Sequence, residues 1–195
     1  MPASHCRTMI IASAITVLAA LGGCTELRTG HVSRNFDTHT GDGAPLARAL
    51  ASGTVPTMII GNPFGVDRPD FKRTVSGYLK GGPKPLDANF VPIPTSNDVD
   101  DVRIVIAFDL AEETSPNQLC ADPESLKPTH NNSAIFFNMA VCELDLARDA
   151  VHGAVDDVWT PYDKEFTYFI GEAMKYLTGE RHYIGHHHCL KVDCS

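Results

Sequence analysis

Basic residues are scarce in this 195-residue chain: 16 Lys and Arg stand against 24 Asp and Glu, a net charge of −8 at pH 7. A protein that grips a phosphate backbone carries a basic footprint, so this balance argues against nucleic acid as a partner. No apolar run reaches the roughly 20 residues that a spanning helix needs. A Gly-x-Ser-x-Gly elbow is absent, as are the spacings of a phosphate loop or dinucleotide fingerprint. No internal repeat is visible. The expectation is therefore a non-enzymatic protein with no catalytic residues and no resident cofactor. What is present is 43% hydrophobic and 21% charged residues. That is enough apolar material for one packed domain, and it rules out a wholly disordered or fibrous chain.

Residues 1–23 read as a lipoprotein signal peptide. Arg7 and His5 lie in a short leading region, and Met9 to Leu21 is an apolar stretch too short to span a bilayer. It ends in Leu21-Gly22-Gly23-Cys24, a quartet that resembles the bacterial lipobox, in which the cysteine is acylated and becomes the first mature residue. Cys24 is thus the expected lipidation site, with palmitate-type chains as a membrane anchor; two such chains hold a protein stably where one does not. Thr25 in place of Asp favours the outer membrane. Removing residues 1–23 deletes one base, Arg7, and no acid, so the mature body is more acidic still. Lipid surfaces of the same sign repel it, and the anchor rather than charge supplies the membrane contact. The expected location is the bacterial cell envelope, facing the periplasm.

Four cysteines remain: Cys120, Cys142, Cys189 and Cys194. In the periplasm an even number fits two disulfides. Three connectivities exist, of which Cys120–Cys142 with Cys189–Cys194 is favoured. The first pair brackets a proline-containing loop (Pro116, Pro123, Pro128) between two apparent strands, and closing it contributes about 3 kcal/mol in the chain-entropy model.

Residues 24–44, after the acylated cysteine, are polar, Gly/Thr/Asp-rich and aperiodic, and read as a flexible tether. A single domain is expected over residues 45–179. Pro45 to Ala51 fits a short helical turn. Thr57 to Ile60 is a β-type run stopped by Gly61-Asn62-Pro63. Asp67 and Pro69 start a helix whose stripe is Phe71, Val75 and Leu79, ended by Gly81-Gly82. Asn89 to Pro94 fits an edge strand, where proline is tolerated, and Val102 to Leu110 and Ala134 to Cys142 are strong strands. Leu146 to Val158 matches both helical and strand spacing; Gly153 and a turn at Glu143–Asp145 tip it towards a strand. Thr160 is the expected N-cap of a final helix beginning at Pro161, with Phe166, Phe169, Ile170, Ala173, Met174 and Leu177 on one face and Gly179 as its stop. Trp159 is expected to staple that helix to the sheet. The implied fold class is α+β: a two-layer sandwich of about five mainly antiparallel strands with two packing helices on one face.

The lipobox, Gly61-Asn62-Pro63-Phe64, Arg103 to Leu110, Leu119-Cys120, the set Cys142, Asp145, Ala147, Val151 and Gly153, and the closing amphipathic helix together resemble a group of small, uncharacterised bacterial lipoproteins. The resemblance spans most of residues 57–178, favours a hairpin over 142–155, and implies no activity. The chain departs from that group after Gly179.

Residues 180–195 form a His/Cys-containing tail. His186, His187, His188 and Cys189, with His182, Asp193 and Cys194 nearby, are the candidate ligands for zinc or copper. Consecutive histidines point in different directions, so no tetrahedral site is encoded, and a Cys189–Cys194 disulfide would compete for the thiolates. The Gly61–Gly65 loop, at a helix start, reads as a tight turn with Phe64 over the core. His130 and His152 are isolated surface or loop residues. Asp109 with Glu112 and Glu113, and Asp156 with Asp157, read as solvated acidic loops. The functional expectation is a lipid-anchored envelope protein that binds or scaffolds an envelope protein partner, the edge strands and the 111–132 loop being its contact surfaces. The alternative is an envelope metal-binding or metal-sensing protein acting through the tail.

Overall fold

The computed structural model describes residues 31–35, 43–81, 86–95, 101–111, 114–129 and 134–179. The elements follow in the order β1 (His31–Asn35), α1 (Ala44–Ala51), β2 (Thr54–Ile60), α2 (Arg68–Tyr78), β3 (Asn89–Ile93), β4 (Val102–Phe108), α3 (Pro116–Ala121), β5 (Ile135–Glu143), β6 (Leu146–Val155) and α4 (Lys164–Thr178). Among the described residues the strands form one sheet in the order β1-β6-β5-β4-β2-β3.

The class is α+β, but the sheet is mixed rather than mainly antiparallel. β1–β6, β6–β5 and β5–β4 pair antiparallel, whereas β4–β2 and β2–β3 pair parallel. The reason is α2. A helix between two neighbouring strands returns the chain to the starting end of the sheet, so β2 and β3 run the same way. The Phe71, Val75 and Leu79 stripe packs this crossover onto the core.

The two-helix layer is also corrected. α1, α2 and α4 all cover one face, burying Leu46, Phe71, Val75, Phe166, Ile170 and Met174 against Val55, Ile104, Ile106, Phe137 and Met139. α3 lies on the opposite face over Val105, Ala107, Ala140 and Cys142. β4 has no exposed residue at all, consistent with its unbroken apolar run and central position.

Part of the expected tether is sheet: His31–Asn35 pairs with β6, His31 opposite Ala154 and Asn35 opposite Ala150. Five residues at a sheet edge leave too short a pattern to read. The ambiguous stretch after Leu144 is a strand, joined to β5 by a two-residue turn with Glu143 opposite Leu146. Leu144 takes a left-handed φ of 54° there. Gly153 lies opposite Phe137.

The last helix starts three residues later than expected, capped at Asp163 rather than Thr160. The Asp163 carboxylate accepts the Trp159 N–H at 2.7 Å, the Thr160 N–H at 3.0 Å and the Thr160 hydroxyl at 2.9 Å, so Thr160 to Asp163 is a turn of its own. Trp159 does not staple the helix; it is 83% exposed. Phe166 takes the core position instead, with Phe64, Tyr78 and Phe108 around its ring. Gly179 closes α4 in the left-handed conformation, φ 71°.

Gly61 leaves β2 at φ 80°, and a Cβ there would lie 2.8 Å from the Phe108 carbonyl oxygen. Gly61→Ala is expected to lower stability by about 1–3 kcal/mol in urea unfolding; an unchanged midpoint would contradict this close approach. The hydrogen bonds from Trp159, then Thr160, hold the Asp163 carboxyl below the usual carboxylate range. A depressed folded value stabilises fully above the unfolded value of about 4 and is lost as pH falls through the lower folded one. Asp163→Asn should therefore weaken the fold at neutral pH and flatten the acid limb of a pH series of urea melts.

Candidate functional site

α3 is short for a helix, and three local devices fix it. Ser115 and Gln118 form a reciprocal cap: the Ser115 hydroxyl accepts the Gln118 N–H at 3.2 Å, and the Gln118 side-chain oxygen accepts the Ser115 N–H at 2.8 Å. Cys120 is joined to Cys142 of β5 by a disulfide, with Cα atoms 5.5 Å apart, which is the expected pairing. Arg103 of β4, directly opposite Cys142, is buried and donates to the Cys120 carbonyl at 2.6 Å. Burial lowers the Arg103 pKa, while Asp145 and Glu124 act in the opposite direction. Its Nε has no hydrogen-bond partner among the described residues. The Asn117 side chain also accepts the Ala147 N–H at 3.0 Å, tying α3 to β6.

Beyond α3 no other described element covers the same sheet face, and a groove of about 620 Å³ opens there. Its floor is built by strand register. Asn138 faces His152 across β5–β6, and Phe136 faces Ala154 in the next row. Phe136 is 41% exposed, and His152 is exposed. Leu110, Thr114, Ser115 and Leu119 form the opposite wall. Asp109 closes one end. It is buried at φ 53°, its carboxylate accepts the Phe136 N–H at 3.1 Å, and its own N–H donates to the Phe136 carbonyl at 2.7 Å. The Thr129 hydroxyl donates to the Asp109 carbonyl at 3.1 Å. The groove thus offers an apolar floor with an amide, an imidazole and hydroxyls around it, an arrangement suited to holding a ligand or partner segment.

The residues singled out from sequence fall in different places. Cys24, His186, His187, His188, Cys189 and Cys194 lie outside the described residues, as do Glu112, Glu113 and His130. Among the described residues no group of three His, Cys, Asp or Glu is placed to hold a metal ion. Asp109 is a buried strand-end residue rather than a solvated one. His152, read as isolated, stands on β6 beside Asn138. The Gly61–Gly65 loop is the expected turn: the Asn62 amide donates to the Val66 carbonyl at 2.7 Å, its oxygen accepts the Phe64 N–H at 3.3 Å, and Phe64 meets Phe166 edge-on at 5.0 Å. Phe136 and Asn138 were missed. Their signal is the alternation of β5, whose outward positions change from Phe136 and Asn138 to the small Ala140 and Cys142.

No family model and no curated protein matches the sequence. Among solved structures the chain is similar to the PelC dodecamer from Paraburkholderia phytofirmans, at 12% identity and a TM-score of 0.40, over 76% of this chain and 98% of that one.

The disulfide closes a 22-residue separation. Replacing both Cys120 and Cys142 by Ser should cost about 3 kcal/mol and raise hydrogen exchange in α3 while α4 stays protected. Uniform loosening of both helices would show that the bond does not act locally.

Proposed function

We propose that the protein is a lipid-anchored module of the bacterial cell envelope, acylated at Cys24 and facing the periplasm, that binds or scaffolds another envelope component rather than catalysing a reaction. Thr25 favours the outer membrane as its location. The observation that carries the binding reading is the unequal covering of the sheet. Among the described residues three helices seal one face, and the other is covered around α3 and open over Phe136, Asn138 and His152, where the groove lies. Large exposed apolar side chains beside convergent polar ones are the makings of a contact surface. The Asp109 carboxylate is engaged by the Phe136 N–H, so its role is to hold the groove's end in place. Of the two sheet edges, β3 carries Pro92 and is the poorer template for strand addition.

A photo-crosslinking side chain placed at Phe136 in living cells should give a discrete adduct with an envelope protein, and the same probe at Arg73 on α2 should not. Absence of a Phe136-specific adduct across several growth conditions would count against the groove as a contact surface. Intact mass of protein from native membranes should show a diacyl or triacyl addition at Cys24; an unacylated mass would overturn the anchor.

A further inference from the structure

Strand register orients the sheet with respect to the anchor. β1 begins opposite Ala154 and ends opposite Ala150, so its first residue, His31, sits at the end of the sheet where β6 finishes. His31 is seven residues from Cys24, and seven extended residues reach at most about 25 Å. With acyl chains on Cys24, the end of the sheet bearing Val155 is held within about that distance of the membrane.

The chain leaving that end carries exposed aromatic rings, in the turn before α4 and in the second turn of the helix. Trp159 follows Val155 by four residues and is 83% exposed; Tyr162 and Tyr168 are 67% and 68% exposed. Their exposure is built rather than loose. The Asp163 carboxylate fixes the backbone at Trp159 and Thr160, the Tyr162 N–H donates to the Thr160 hydroxyl at 3.3 Å, and the Tyr78 hydroxyl clamps the Pro161 carbonyl at 2.9 Å. Tyr162 and Tyr168 line one shallow groove with Lys164 and Lys175, and the Lys175 ammonium lies 6.0 Å from the Tyr168 ring centre. Lys175 is held in an ion pair with Glu172 of the same groove, so the rings carry the argument: an apolar body with a polar tip is the kind of side chain that settles at a bilayer interface. Asp156, Asp157 and Glu165 stand close by in sequence, so the attraction is the burial of rings and not the pull of anionic lipid.

We propose that Trp159, Tyr162 and Tyr168 dock the domain onto the surface of the same bilayer that holds its acyl chains, with the rings in the headgroup layer. The inference rests on acylation of Cys24, and the test separates the two. Trp159 is the single tryptophan of the chain, so its fluorescence reports on this surface alone. Acylated protein from native membranes is reconstituted into vesicles of phosphatidylethanolamine with a minor share of phosphatidylglycerol. The expected result is co-flotation with the vesicles, a blue-shifted emission, quenching by lipids brominated on the acyl chain near the headgroup, and a several-fold loss of acrylamide quenching. Tyr162→Ser with Tyr168→Ser, both at exposed positions, should return much of the acrylamide access without changing flotation. Protein that floats while Trp159 stays fully open to acrylamide would overturn the docking and leave the anchor standing. Protein with no acyl mass that fails to float would overturn both. An emission shift that follows protein concentration without vesicles would instead assign the patch to a second copy of the chain.

Discussion

Every residue of Val102–Phe108 is buried and all but Arg103 are apolar, and the fold is arranged around covering both faces of this strand. Ile104, Ile106 and Phe108 look one way and meet the three-helix layer; Val105 and Ala107 look the other way and need a second cover. Among the described residues that cover centres on the six residues of α3, with Leu110 and Leu126 beside it, and six residues are far below the length at which a helix persists unaided. The disulfide to Cys142, the Arg103 bond to the Cys120 carbonyl and the Ser115–Gln118 cap make up the difference. The groove is the remainder: it lies where the second face continues and the fastened segment does not.

The same local device recurs where β2, β4 and β6 end. Asn62, Asp109 and Asp163 each use a short polar side chain to accept backbone N–H groups of the loop or strand that follows. β2 and β4 are parallel, and β6 runs with them through its antiparallel pairing to β5. All three junctions therefore gather at one end of the sheet, which is stiffened by hydrogen bonds that survive only while these side chains keep their acceptors aimed. Phe64 and Phe166 meet near this end as well, so its loops are tied to the core from beneath.

What could be read from the residues was local. The α4 stripe repeats at helical spacing over a long stretch, and each of its six named residues is buried. The strong strands, the turn around Asn62 and the Cys120–Cys142 pair were legible for the same reason: each is set by residues close in sequence or by one loop. The parallel pairing of β2 was not, because its partner β4 lies beyond a crossover helix and another strand. The cap of α4 was misplaced because Thr160 and Asp163 are both good caps, and only the hydrogen bonds of the turn decide between them. The groove was hidden for a deeper reason. The pairing of Asn138 with His152 depends on strand register, and one residue of slip would send a strand's side chains to the opposite face. Which part of a face stays uncovered is known only once every covering element has been placed.

The outermost strand on the β2 side has a consequence for how copies of the domain can meet. Pro92 lies within β3 and Pro94 just after it, and neither carries an N–H to offer a new neighbour. A sheet extends from chain to chain only if it can accept a strand on each side, since one receptive border permits a single partnership and then nothing more. With β3 interrupted in this way, β1 is the receptive border among the described strands. Edge-to-edge association of these sheets would accordingly close at a pair and not propagate into a fibre, a limit set by the sheet's own borders.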